Sequence, residues 1–351
     1  MKIISSIQDL PPALAASISP EEKDYINTLS RQGLPFAVTP HFASLACPEK
    51  NDPIRRQFIP DPREALPDPF ALNDPLGEHH YSSAPGLVHQ YKDRALLLST
   101  AACAGYCRHC FRRVWLREQS SGGSKQIAGN LQPALEYLAA HREIREVLVS
   151  GGDPLTMSNS ALSGLLHRLR AARPGIMLRI CTRVPITEPA RLDSDTITIF
   201  AKLCPLRLSV HINHPRELSA PASSALAACV SAGIPVLVQT VLLRDINDDP
   251  SLLAELFRSC SDLGLSPYYL FQPDLAPGTA HFRVPLRQGL AIYRELGASC
   301  RSLPAYALDL PGGGGKIRLH ENVISGEKTT DRGREYILRD LTGREWQYPA
   351  E

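Results

Sequence analysis

The stretch Arg94-Ala-Leu-Leu-Leu-Ser-Thr-Ala-Ala-Cys103-Ala-Gly-Tyr-Cys107-Arg-His-Cys110 marks a change in the character of the chain. Its first half, Ala95–Thr100, is an apolar run of strand length. Its second half is a C-x3-C-x2-C run placed directly after that strand. Downstream, short apolar runs alternate with longer amphipathic ones. The pattern predicts strands over Ala95–Thr100, Glu146–Ser150, Met177–Thr182, Leu206–His211, Pro235–Leu243 and Tyr268–Phe271. It predicts helices over Leu131–His141, Ser160–Ala172, Glu188–Leu203, Glu217–Ala232, Pro250–Leu263 and Leu286–Ser299. Strands that are each followed by a helix imply parallel βα units, hence an α/β fold with an open sheet or a partial barrel. A complete eight-unit barrel needs two more pairs than this sequence offers.

The flanks read differently. Residues 1–92 are rich in Pro and His, with a helix predicted over Pro20–Gln32 and turn-forming runs at Asp52-Pro53, Pro60-Asp61-Pro62, Pro67-Asp68-Pro69 and Asp74-Pro75. No period of 2 or 3.6 is sustained there, so this segment is expected to form an N-terminal layer wrapped on the core. The core is expected over 93–303 and a C-terminal segment over 304–351. That segment holds Ala305–Asp309, the glycine run Pro311–Lys316, and a predicted hairpin of Tyr336–Arg339 and Glu345–Tyr348 turning at Thr342-Gly343.

Composition narrows the function classes. The 351 residues carry 38 Lys+Arg against 36 Asp+Glu, a net charge of +2, which argues against binding nucleic acid through phosphate neutralisation. With 43% hydrophobic and 21% charged residues the chain is ordinary for a globular protein. No apolar run approaches the roughly 18 residues needed to span a bilayer, and the start meets Asp9 and Pro11 too soon for a secretory h-region. A cytoplasmic protein with no membrane partner is expected. There are nine cysteines, and three fall within the eight residues from Cys103 to Cys110, which suits one metal or cofactor site in a reducing compartment.

Three motifs carry chemistry. Thiolates are soft ligands for zinc or iron–sulfur clusters. Three of them on one loop would hold three irons of a four-iron cluster and leave the fourth open to a small molecule. A zinc site completed by His109, or three unrelated buried cysteines, are the alternatives. Second, Ser150-Gly-Gly-Asp-Pro-Leu155 ends the second strand, at the edge where βα proteins bind ligands. A tight turn would explain it equally. Third, Pro311-Gly-Gly-Gly-Gly-Lys316 is not a phosphate-binding loop, because Ile317 follows the lysine. Its glycines would let Lys316 reach inward and form a Schiff base with an aldehyde cofactor, or leave it on a surface loop.

In this order the motifs resemble one family, the lysine 2,3-aminomutases, which are radical S-adenosylmethionine enzymes that also use pyridoxal phosphate. The resemblance runs from about Asp74 to Pro349. It includes Asp74-Pro-Leu, Pro85-Gly-Leu, Asp93-Arg94, the cysteine run with Arg112-Arg113, Ser150–Leu155, His211-Ile-Asn-His214-Pro, Gln239–Asp248, Tyr268–Pro285 and Asp309–Lys316. It implies a partial (β/α)6 radical-SAM barrel with an N-terminal helical layer and a C-terminal segment bearing the pyridoxal phosphate lysine. The implied reaction interconverts L-lysine and β-lysine by radical migration of the amino group from carbon 2 to carbon 3.

The resemblance also implies roles for residues. Cys103, Cys107 and Cys110 would bind a [4Fe-4S] cluster whose open iron takes S-adenosylmethionine. Gly151, Gly152 and Asp153 match the strand end near the methionine moiety, and Asp153 would serve that site or the turn. Lys316 matches the lysine that carries pyridoxal phosphate, and Arg94 and Gln239 match positions at its phosphate end. Arg112 matches the residue that pairs with the substrate carboxylate, and Asp274 and Asp309 match two acids that hold its far end. His211, His214 and Arg183, near strand ends, are further pocket candidates. The implied partners are a cationic amino acid and a reducing electron donor, and a homo-oligomer is left open.

Longer members of the family bind zinc through a C-terminal extension and an internal cysteine. Here the internal position falls on Asp249 and no cysteine follows Cys300, so no zinc is expected. Two rival functions remain open at this point. One is the branch that makes β-lysine for elongation factor P, which Tyr268-Tyr-Leu and the short length resemble, whereas the intact Pro311–Lys316 run resembles the free-lysine branch. The other is a non-catalytic iron–sulfur or zinc protein, in which Lys316 would have no role.

Overall fold

The computed structural model of the protein describes residues 1–29, 33–121, 130–340 and 342–350. The N-terminal layer contains three helices of five residues each, α1 (Pro12–Ala16), α2 (Pro20–Asp24) and α3 (Pro40–Ser44). Each begins on a proline, whose fixed φ suits the first helical turn. Ser19 and Glu22 form a capping box at α2, and Thr39 caps α3. The helix expected over Pro20–Gln32 is α-helical over Pro20–Asp24. It passes into a π-helical turn at Tyr25–Leu29, and Ser30–Gln32 lie outside the described residues.

Ten strands form one sheet in chain order. They are β1 (Ser82–Ala84), β2 (Leu87–Tyr91), β3 (Arg94–Thr100), β4 (Glu146–Gly151), β5 (Met177–Thr182), β6 (Leu206–His211), β7 (Val236–Val241), β8 (Ser266–Phe271), β9 (Ala305–Leu310) and β10 (Gly315–Arg318). Strands β3 to β9 run parallel, and β1, β2 and β10 are antiparallel additions at the two edges. The sheet does not close, so the architecture is a partial barrel. Each of the six expected strands is present. A seventh parallel strand, β9, lies in the segment that the sequence pattern assigns to the C-terminal tail. It pairs with β8 through Tyr269↔Ala305 and Phe271↔Ala307.

Helices α4 (Arg113–Ser121), α5 (Gln132–Ala140), α6 (Asn159–Ala172), α7 (Val184–Thr187), α8 (Ser194–Lys202), α9 (Ala220–Ser231), α10 (Pro250–Asp262) and α11 (Leu286–Ser299) fill the crossovers. The single helix expected over Glu188–Leu203 is interrupted. Pro189 opens a short 3-10 turn, and the Asp193 side chain caps α8 afresh by accepting from the Thr196 amide. Side chains alternate across each strand. Val147, Val149, Leu178, Ile180, Leu208, Val210, Val236 and Val238 join one buried apolar core. The alternate residues Leu148, Arg179, Cys181, His211, Gln239, Tyr269 and Phe271 line a cavity on the concave face. One face builds the core and the other the site.

The expected hairpin is present as β12 (Gly333–Arg339) and β13 (Glu345–Pro349), and β11 (Ile324–Thr330) adds a third antiparallel strand. Trp346 of β13 packs over Gly314, so this small sheet braces the glycine run. Among the described residues no helix is long and apolar enough to cross a membrane.

The end of β4 is locked to the segment entering the cysteine loop. The Gly152 amide donates to the Thr100 carbonyl at 2.5 Å and the Asp153 amide to the Ala102 carbonyl at 2.7 Å. A Cβ on Gly151 would strike the Thr100 oxygen, and one on Gly152 the Ala102 oxygen. Gly152→Ala should therefore lower stability by about 1–3 kcal/mol, the usual cost of one overpacked carbon. The urea unfolding midpoint measures this, and an unchanged midpoint would contradict the packing argument.

Candidate active site

The cavity on the concave face has a volume of about 320 Å³. The cysteine loop forms one end of it. Cys107 and Cys110 line the cavity, while Cys103 packs behind them against the Leu34, Ala101 and Leu116 cluster. The loop is fixed from outside. Arg108 is fully buried, donating from Nε to Glu64 Oε1 at 2.8 Å and from its Nη atoms to the Pro35 and Leu34 carbonyls. Arg113 shares the same Glu64 carboxylate. The Tyr106 amide donates to the Ala37 carbonyl at 2.9 Å. Every one of these partners comes from the N-terminal layer.

Burial, and then the neighbouring thiols, push Cys110 up to about 11 and Cys103 well above the ordinary thiol range. Arg112 acts in the opposite direction on both. Arg183 donates from Nη1 to Cys107 Sγ at 2.8 Å. Three thiols beside two guanidinium groups are a donor set that suits anionic, thiolate-ligated iron, and loading such a site would release the thiol protons. Among the described residues no three His, Cys, Asp or Glu side chains converge on a single ion. A cluster distributes its thiolates over separate irons and does not ask for that convergence.

Gly151 and Gly152 serve the close approach described above. Asp153 is buried and its carboxylate is engaged by the strand ends. Its carboxylate accepts from Thr182 Oγ1 at 2.7 and 2.9 Å, from the Arg183 amide at 2.7 Å and from the Leu155 amide at 3.0 Å. It thereby ties the ends of β4 and β5 together.

Lys316 enters the same cavity from β10. Register pairs it with Asp309 on β9, and its Nζ donates to Asp309 Oδ2 at 2.6 Å. The ammonium lies 4.0 Å from the Phe271 ring centroid and 5.2 Å from that of Tyr269. The glycine run is not a loose surface loop. Gly312, Gly313 and Gly315 have positive φ, the Gly312 amide donates to the Pro75 carbonyl, and Tyr81 Oη donates to the Gly313 carbonyl at 2.7 Å. Arg94 and Gln239 both line the cavity, with the Arg94 guanidinium 4.2 Å from the Tyr91 ring centroid. Together these residues offer a nucleophilic amine, aromatic walls, a cation and an amide, which fits a phosphorylated aldehyde.

Arg112, Asp274 and Asp309 share the same cavity. Asp274 has no hydrogen-bond donor on its carboxylate among the described residues. Burial, followed by repulsion from Asp309, holds its pKa well above the usual carboxylate range, and Lys316 and Arg112 only partly offset this. The cavity thus presents one guanidinium and two carboxylates.

Comparison with known proteins agrees with this geometry. A family model described as a 4Fe-4S single cluster domain matches residues 93–185. A Fusobacterium nucleatum L-lysine 2,3-aminomutase is 37% identical over 343 residues, covering 97% of this chain and 78% of that protein. A Treponema pallidum protein that carries the same name provisionally is 40% identical over 299 residues, 84% of this chain and 83% of its own length. The chain belongs to the L-lysine 2,3-aminomutase family. The family also reaches a different substrate name, since a glutamate 2,3-aminomutase from Clostridioides difficile is 33% identical over 325 residues, 92% of this chain and 75% of that protein.

Within this aminomutase-family chain, the remaining candidates separate. His211 lines the cavity, whereas His214 is buried beside it, its Nδ1 accepting from the Arg216 amide. Arg183 supports the loop from behind through Cys107, Gln57 and Glu217. Sequence reasoning missed Glu64, Gln57, Glu78 and Arg179. Arg179 lines the cavity and donates to Glu146 from Nε at 3.0 Å and from Nη2 at 2.7 Å. Glu78 grips Arg112. It lay just beyond the Asp74-Pro-Leu motif, which was the one signal pointing toward it.

The raised pKa of Asp274 has a consequence for stability. A carboxyl whose folded pKa lies above its unfolded value supports folding fully below about pH 3.9, and that support is lost as pH rises through the folded value. Ligand-free Asp274→Asn should therefore gain Tm over the wild type at about pH 8 and match it near pH 4. Calorimetry at both pH values measures the gap, and a gap that ignores pH would count against the assignment.

Proposed function

We propose that the protein is a radical S-adenosylmethionine L-lysine 2,3-aminomutase that interconverts L-lysine and β-lysine. Cys103, Cys107 and Cys110 would hold the [4Fe-4S] cluster. Lys316 would carry pyridoxal phosphate, with Arg94 and Gln239 at its phosphate end. The cluster, S-adenosylmethionine and pyridoxal phosphate supply the radical and amino-group chemistry when bound, and this is chemistry that no side chain provides.

The observation that carries the reading is the charge layout of one cavity. Arg112 suits an α-carboxylate, and Asp274 with Asp309 suits a distant ammonium group. Lys316 links the two demands. While its amine is free, it neutralises Asp309. Lys316 would be the residue that carries the aldehyde cofactor, and Asp274, which among the described residues lacks a cationic partner of its own, would take the larger share of a cation on the substrate. Two carboxylates offset the desolvation of a buried ammonium better than one does. The same two acids would repel a glutamate side chain, so the pocket favours lysine over that substrate.

The test is anaerobic reconstitution with iron, sulfide and pyridoxal phosphate, then incubation with S-adenosylmethionine, a reductant and either L-lysine or L-glutamate. β-Lysine should form and β-glutamate should not, while the reverse preference would refute the substrate. Borohydride reduction and peptide mapping should place the pyridoxyl label on Lys316, and a label on another lysine would refute that role. Breaking one partner of a buried ion pair typically costs about 3–5 kcal/mol, so Asp309→Asn should reduce lysine turnover by roughly two to three orders of magnitude. Iron content of that variant should stay at the wild-type level, and near-normal kinetics would remove Asp309 from the substrate site.

A further inference from the structure

We propose that Glu78 is a positioning residue that grips Arg112 along one side of its guanidinium and leaves the outer edge open to the α-carboxylate of the substrate. This rests on the reading of the cavity as an amino-acid site. Arg112 donates from Nε to Glu78 Oε2 at 3.0 Å and from Nη2 to Glu78 Oε1 at 2.6 Å. Both side chains are largely buried, at 13% and 17% exposure, and both line the cavity.

A guanidinium has five N–H donors in a rigid plane. Glu78 takes the Nε–H and one Nη2–H. Two N–H groups on Nη1 and one on Nη2 remain, which include the parallel pair along the outer edge. Among the described residues only a long contact of 3.4 Å, from Nη1 to Ser150 Oγ, draws on that edge. The Phe111 ring, 4.6 Å from the Arg112 carbon, restrains the plane from one face. An arginine held this way offers a second, end-on fork to another carboxylate at little further ordering cost.

Glu78 is itself held firmly. Asp74 Oδ1 accepts from the Glu78 amide at 3.0 Å. Gly77 has φ +61°, and a Cβ there would lie 2.7 Å from the Gly312 carbonyl carbon and 2.8 Å from the Gly313 nitrogen. The Asp74–Tyr81 segment therefore lies against the glycine run that leads to Lys316, and Pro75 and Tyr81 hydrogen-bond that run. One strap sets both the carboxylate-binding arginine and the loop of the reactive lysine. This gives the Asp74-Pro-Leu motif a purpose that the cofactor roles do not supply.

The experiment uses the reconstituted full-length enzyme and compares wild type, Glu78→Ala and Glu78→Gln. KM and kcat for L-lysine are measured, together with calorimetric binding of L-lysine and of 1,5-diaminopentane, which lacks the carboxylate. Glu78→Ala should raise the KM and Kd for L-lysine by about tenfold to a hundredfold, the range of one charge-assisted hydrogen bond, with a smaller change in kcat. Glu78→Gln retains one acceptor and should recover part of the loss. Binding of 1,5-diaminopentane should stay within about twofold of wild type, and iron content should be unchanged. An unchanged KM would overturn the proposal. So would a fall in KM, which would make Glu78 a competitor for Arg112, or a parallel loss of 1,5-diaminopentane binding, which would mean collapse of the pocket. A wild type that binds L-lysine without converting it counts against the reaction alone, because the binding comparison still tests Glu78. A wild type that binds no L-lysine overturns both.

Discussion

The buried carboxylate of Glu64 is the interaction on which the site depends. It neutralises Arg108, which sits between Cys107 and His109, and Arg113, which opens α4. Without Glu64 two guanidinium groups would be buried without a counter-charge, and leaving one such charge unpaired typically costs several kcal/mol. Because Arg108 also donates to the Leu34 and Pro35 carbonyls, the cysteine loop cannot move without opening the N-terminal layer. A loop that must hold three thiols in fixed relation is thereby held by charge burial and by backbone contacts with residues 34–64.

That constraint explains why the proline-rich first quarter of the chain belongs to the functional unit. Its helices are too short to persist alone in water. They are held by Leu14, Phe36, Phe42, Ile54 and Phe58, which join the apolar core shared with the barrel helices. The layer in return closes one side of the thiol site, and its last segment brings Glu78 into the cavity. Support for the site comes from the layer, the strand ends and the C-terminal sheet together.

Much of this was legible in the sequence, because local pattern and local chemistry coincide there. The six expected strands carry apolar runs of the right length, and the cysteine spacing points to a metal or cofactor site by itself, whereas the lysine after four glycines gains a meaning only beside the other motifs. Ala305–Leu310 was harder. It follows Cys300–Pro304 and reads as a tail, and only pairing with β8 shows that it continues the sheet. Strands β1 and β2 are short edge strands in a turn-rich region and have no period to detect. Glu64 and Glu78 were not legible as functional residues. Each is a single acid in a turn, and each acquires its role from an arginine tens of residues away. Asp153 could be read two ways because its motif sits where both readings have a physical basis. The hydrogen bonds that commit its carboxylate run to Thr182 and Arg183, which no local pattern reveals.

The sheet follows chain order from β1 to β10, yet the Gly312 amide reaches Pro75 and Tyr81 reaches Gly313, joining the two ends of an open barrel. During synthesis the cysteines leave the ribosome some two hundred residues before Lys316 does. Domains form from the N-terminus as the chain emerges, so the thiol loop and its layer can assemble while the opposite wall of the cavity is still untranslated. The seam between strap and glycine run can form only near the end of translation. A truncated chain therefore has a place for iron but no enclosed chamber, and the order of synthesis keeps the metal centre apart from the amine until both walls are in place.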